Sequence, residues 1–162
     1  IQDDVLNHLD DGWELGIFHD PCTFQCNSGV QWLHTEEGRW EKLIKSCEFT
    51  RKLLNAKIEK ICRENPIPHG FAVELIGRKY NQIIQPWMFG QYEKKATCLW
   101  LKALPKLNVQ FKTEEECRVF LGIPKGTKPE QRIFKMPPNE NRGKERSRFF
   151  KGIANTMSEQ WG

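Results

Sequence analysis

Apolar positions along this chain gather in short blocks, and several of those blocks run into a proline. The first block, Trp13 to Phe18, stops at His19, Asp20 and Pro21. Its length and composition predict a buried strand, and Asp20-Pro21 forces extended or turn geometry at its end. Before it, Ile1 to Leu9 reads as a strand end and one helical turn capped by Asp3 or Asp4, and Asp10-Asp11-Gly12 as a turn. After it, Thr35-Glu36-Glu37 supplies the cap and acids of a helix start. Trp40, Leu43, Ile44, Cys47 and Leu54 then recur at helical spacing until Asn55-Ala56. Ile58 to Arg63 predicts a second strand, stopped by Glu64-Asn65-Pro66. Phe71 to Ile76 predicts a short helix, and Asn81 to Gln85 and Ala96 to Leu101 predict further strands, separated by an aromatic and basic loop. Thr113 opens a helix to about Leu121, Gly122 to Pro138 reads as loop, and a last helix runs from about Glu145 to Trp161. Phe149, Phe150, Ile153, Ala154, Met157 and Trp161 would share one face of it.

Strand, long helix and strand make a right-handed βαβ unit with parallel strands. Consecutive strands are usually neighbours, so the two polar strand ends emerge at one sheet edge. Cys22 would then meet Glu64 and Asn65, although they are far apart in the chain. Ligands of open α/β sheets bind just beyond the carboxyl ends of strands, which makes this edge the predicted site.

Composition narrows the class. A chain of 162 residues predicts a single domain over 1–162. No run of about 18 apolar residues is present, which excludes a membrane-spanning helix from the sequence. No secretory leader precedes the first block, so a cytoplasmic setting and reduced thiols are expected for the six cysteines. Residues 1–38 hold eight acids and no Lys or Arg, so all 25 bases lie downstream, nine of them between Lys125 and Lys151. That density suits a polyanion such as DNA or a nucleotide, and equally a solvated surface. His19, Cys22, Cys26 and His34 match no standard zinc spacing, so no metal site is expected.

Pro21-Cys22 at one strand end and Glu64-Asn65-Pro66 at the next resemble the cytosine-5 DNA methyltransferases. The resemblance is closer to small methyltransferase-like proteins of phage genomes. It extends to Ile83-Ile84-Gln85-Pro86-Trp87, to Lys95-Ala96-Thr97-Cys98-Leu99-Trp100, and to Glu145-Arg146-Ser147-Arg148-Phe149. Only an extra segment around 108–128 falls outside it. The resemblance implies an α/β, Rossmann-like methyltransferase core with a mainly parallel sheet flanked by helices, its first strands preceding Ile1. An uncovered sheet edge left in this way invites self-association into a homo-oligomer. It also implies a bacterial host cell and a phage or prophage origin.

The implied chemistry is methylation of cytosine in DNA by S-adenosylmethionine. Cytosine carbon 5 is a poor nucleophile until a thiolate adds to carbon 6. Cys22 would be that nucleophile, Glu64 would hold the ring nitrogen and amine, and Asn65 would fix the loop. The target base would have to be flipped out of the duplex. Asp4 and Pro21 would contact the cofactor, and Lys94, Lys95 and Thr97 match a basic substrate-binding signature of the family. Asp20 stands where the family has a second proline, and a carboxylate beside Cys22 disfavours its thiolate. That departure supports a rival reading, a catalytically inactive protein that binds a nucleotide or a partner.

Overall fold

The protein is described by a computed structural model covering residues 3–137, 140 and 149–162. Two compact units are formed, one from Ile1–Ile83 with Thr97–Lys106, the other from Ile84–Ala96 with Leu107–Gly162.

The first unit is built on β1 (Leu15–Phe18), α1 (Arg39–Leu54), β2 (Lys60–Pro66), α2 (Gly70–Ile76), β3 (Gln82–Ile84) and β4 (Thr97–Lys102). The fold is α/β with a four-stranded sheet in the order β1-β2-β4-β3. β1 and β2 are parallel, Leu15 facing Lys60 and Phe18 facing Arg63, as a strand–helix–strand unit requires. β4 runs antiparallel to β2, with Ile61 opposite Lys102 and Pro66 opposite Thr97. The sheet is therefore mixed. The chain from β2 to β4 passes through α2 and β3 instead of one crossover helix, so nothing imposes the parallel direction.

β2 and β4 are central and almost wholly buried; β4 accordingly carries an apolar run, Cys98 to Leu101, whereas β2 buries Arg63, Glu64 and Asn65 beside Ile61 and Cys62. α1 lays Leu43, Cys47, Leu53 and Leu54 into a core with Ile58, Ile61 and Trp100. Each fully buried Leu or Ile contributes about 1.5–3 kcal/mol of transfer free energy. β1 is an edge strand that buries only Gly16 and Phe18. Trp13, expected within a buried strand, is instead 50% exposed, with its indole Nε1–H donating to the His8 carbonyl.

Several boundaries differ from the sequence reading, among them a helical turn at Arg132–Lys135 inside the expected loop 122–138. Thr35 closes a 3-10 helix, Asn27–His34, and α1 starts only after Gly38, whose φ of 68° lies in the left-handed region and cannot sit inside a helix. β2 continues through Glu64, Asn65 and Pro66, because β4 pairs with all three. The polar motif is the last stretch of the strand itself.

In the second unit, a 3-10 segment at Pro86–Phe89 precedes α3 (Glu114–Phe120), α4 (Arg132–Lys135) and α5 (Lys151–Trp161). Thr113 caps α3 by accepting the Glu116 N–H. Trp87, Phe111 and Cys117 form a small core with Met88 and Tyr92, and α5 buries Ile153, Met157 and Trp161. Gly152 lies so close to the Phe89 carbonyl that a Cβ there would collide with it. Glu145 to Arg148, expected to begin the last helix, lie outside the described residues. Among the described residues no helix is long and apolar enough to cross a membrane.

Candidate functional site

β1 ends at Phe18 opposite Arg63, so the next residues run alongside the last part of β2. The chain is pinned there at every step. His19 Nδ1 lies 2.9 Å from Glu64 Oε2, and the Asn65 side-chain amide donates to the Asp20 carbonyl at 3.2 Å. His69 N–H donates to the Gln25 carbonyl and Asn27 N–H to the Ile67 carbonyl, both at 3.0 Å, while Cys26 bridges to Pro68. The loop carrying Cys22 is thus bound along residues 64–69 through His19, Asp20, Gln25 and Asn27, as parallel β1 and β2 allow.

His69, the N-cap of α2, closes this seam. Its Nδ1 accepts the Ala72 N–H, so Nε2 carries the ring proton and donates to the Phe24 carbonyl at 3.0 Å. Arg39 clasps the loop from the other side. Its guanidinium donates to the Thr23 carbonyl and lies over the Phe24 ring, and Gly29 leaves room for both groups.

Asp20 does not turn toward the surface that carries Cys22. Its carboxylate turns inward, 1% exposed, and receives two hydrogen bonds from Arg63, at 2.6 and 2.9 Å, and a third from Thr50 Oγ1. Arg63 is itself fully buried, stacked 4.4 Å from the Trp100 ring centroid, and also donates to Gln25 Oε1. The Gln25 amide in turn donates to Thr50 and Ser46. The carboxylate expected to suppress a thiolate at Cys22 is spent on this pair. Nothing in the segment Ile58 to Arg63 set Arg63 apart from its charged neighbours Glu59 and Lys60.

Cys22 is half-buried, and its carbonyl accepts both the Gln25 and Cys26 N–H groups, at 2.9 and 3.0 Å, forming one helical turn. That turn brings Cys26 one helical turn from Cys22, and Cys26 Sγ lies 3.2 Å from Ser28 Oγ. Hydrogen bonding from Cys22, then from Ser28 and the Gly29 amide, outweighs burial and pulls the Cys26 thiol down from 9.0 to about 5. Sequence reasoning missed Cys26. The four-residue spacing could have pointed to it had the segment been read as a turn.

Burial acts the other way elsewhere. Cys47 is pushed up to about 11, and Cys62 and Cys98 to about 12. Alkylation by iodoacetamide is therefore expected to select the Cys22–Cys26 turn in the folded protein. Between about pH 6 and pH 8 the Cys26 rate should change less than about twofold, where an ordinary thiol gains about tenfold per unit. It should fall only as pH drops through the lowered value and the proton returns. Peptide mass mapping reads this directly, and a Cys26 rate rising tenfold per unit would contradict the shared proton.

The remaining predicted residues are spread out. Thr97, 2% exposed, faces Pro66 across the β2–β4 ladder. Lys94 and Lys95 belong to the second unit, where Lys94 pairs with Glu114 at 2.7 Å and Lys95 Nζ lies over the Phe150 ring. Pro21 is exposed, and Asp4 is an exposed N-cap whose Oδ1 accepts the Leu6 N–H. Asp4 and Pro21 alone make no cradle for S-adenosylmethionine. Among the described residues no group of three or more His, Cys, Asp or Glu is placed to hold a metal. Compared with protein-family models, with curated proteins and with solved structures, the chain finds no match, so the chemistry of this turn and strand end must carry the functional argument.

Proposed function

We propose that the Cys22 turn and the Glu64–Asn65 strand end form a pyrimidine-addition site, acting on cytosine in DNA in the manner of a cytosine-5 methyltransferase with a Rossmann-like core. The observation that carries this reading is the pinning of the Cys22 loop to the end of β2 through His19–Glu64 and Asp20–Asn65. A nucleophile and a carboxylate are thereby held on one edge, with His19 half-exposed at its mouth.

In this mechanism the Cys22 thiol passes its proton to Cys26 as its sulfur bonds to cytosine carbon 6. Glu64 meets the ring nitrogen and exocyclic amine and favours a proton on that nitrogen, which neutralises the negative charge that addition pushes into the ring. Electron density then resides on carbon 5, which takes up a proton from solvent; loss of the original carbon-5 hydrogen and expulsion of the Cys22 sulfur from carbon 6 restore the ring and the enzyme. S-adenosylmethionine, when bound, would supply a methyl group in place of that proton. The addition itself needs only the chain's own residues.

The rival reading, a catalytically silent binding protein, draws support from the lowered proton affinity at Cys26, a thiol outside the Pro-Cys motif. DNA tritiated at cytosine carbon 5 separates the two. Catalysis is expected to release tritium to water, with release abolished in Cys22→Ser and reduced in Cys26→Ser. If no tritium is released, and DNA containing 5-fluorocytosine forms no covalent adduct with added S-adenosylmethionine, the addition mechanism is wrong and the binding reading stands.

A further inference from the structure

We propose that Cys22 and Cys26 are a peroxide-sensitive dithiol, closing to a disulfide within their turn when they meet a hydroperoxide. The turn that carries them is defined by the Gln25 and Cys26 N–H groups on the Cys22 carbonyl, which puts both side chains on one side. Ser28 Oγ lies 3.2 Å from Cys26 Sγ. Both are partly accessible, while Cys47, Cys62, Cys98 and Cys117 are fully buried. No other cysteine competes for oxidant.

The chemistry follows from the pair. Cys26 thiolate attacks one peroxide oxygen, the O–O bond breaks, and hydroxide leaves, giving a sulfenic acid at Cys26. The Cys22 sulfur then attacks the Cys26 sulfur, forming the S–S bond, and its proton departs with the hydroxyl as water. Two electrons have passed from the two thiols to the peroxide. Side chains four residues apart on a helical turn have Cβ atoms about 5–6 Å apart, and a disulfide needs about 3.5–4.5 Å. Closure therefore tightens the turn, and a dithiol reductant reopens it. The disulfide does not depend on the pyrimidine-addition reading; its consequence, that Cys22 is blocked as a nucleophile, rests on it.

The test uses the full chain with dilute hydrogen peroxide, followed by alkylation in denaturant and trypsin. Because residues 1–38 contain no Lys or Arg, both cysteines leave in one peptide ending at Arg39. The disulfide reads as that peptide lacking two hydrogens and refusing alkylation until dithiothreitol is added. It is expected to form about tenfold faster in the folded protein than in urea. In Cys22→Ser, a sulfenic acid at Cys26 should accumulate and be trapped by dimedone. Equal rates in folded and unfolded chain, disulfide-linked dimers in place of the internal bond, or oxidation that stops at Cys26 with Cys22 still present would each overturn the proposal.

Discussion

Replacing Arg63 with methionine is expected to cost about 3–5 kcal/mol of folding stability, because it strands the Asp20 carboxylate in the protein interior without its counter-charge. Asp20 and Arg63 are 1% and 0% exposed, and two of the three side-chain hydrogen bonds reaching Asp20 come from Arg63. The same change removes the donor to Gln25 Oε1 and the guanidinium stacked on Trp100. A domain of ordinary stability holds about 5–15 kcal/mol in total, so the variant should be near the edge of folding. Arg63→Lys should recover only part of the loss, since an ammonium cannot reproduce the two-pronged contact. The double variant Asp20→Leu, Arg63→Met should recover more, having no buried charge left to satisfy. Urea unfolding of the four proteins measures these differences. A loss below about 1 kcal/mol for Arg63→Met would mean that water reaches the pair and that it behaves as a surface salt bridge.

The sequence carried the part of this architecture that depends on local pattern. Proline after each apolar block marked the strand ends, and a helix-length spacer between two blocks required parallel β1 and β2. What it did not carry depends on orientation. Asp20 beside Cys22 looked like an electrostatic neighbour, but the chain turns at Cys22 and Asp20 faces inward to Arg63. Gly38 is unremarkable in the sequence, yet its left-handed backbone decides where α1 begins. The antiparallel course of β4 follows from the path of the chain through α2 and β3, which no periodicity encodes. Cys26 was legible only as a cysteine. Its role arises from two backbone hydrogen bonds that fold Cys22 to Cys26 into a turn.

Glu64→Gln is expected to lower tritium release from cytosine about 10²–10³-fold while leaving the urea midpoint nearly unchanged, if the pyrimidine-addition mechanism holds. Glutamine has the same shape, fits the same place opposite Leu99, and still offers an oxygen to His19. What it lacks is the negative charge that favours proton sharing with the cytosine ring as the thiol adds. A carboxylate 10% exposed acts in a medium less polar than water, so that charge is worth more there than in solution. His19→Gln should have a smaller effect, because His19 orients Glu64 and need not touch the base. Together the two variants separate chemistry from scaffolding. If Glu64→Gln destabilises the fold as much as it slows exchange, Glu64 is a strand-end anchor and the site lacks its electrostatic partner. If exchange persists unchanged in both variants but vanishes in Cys22→Ser, the thiol acts without Glu64, and the edge of β2 serves only to position the turn.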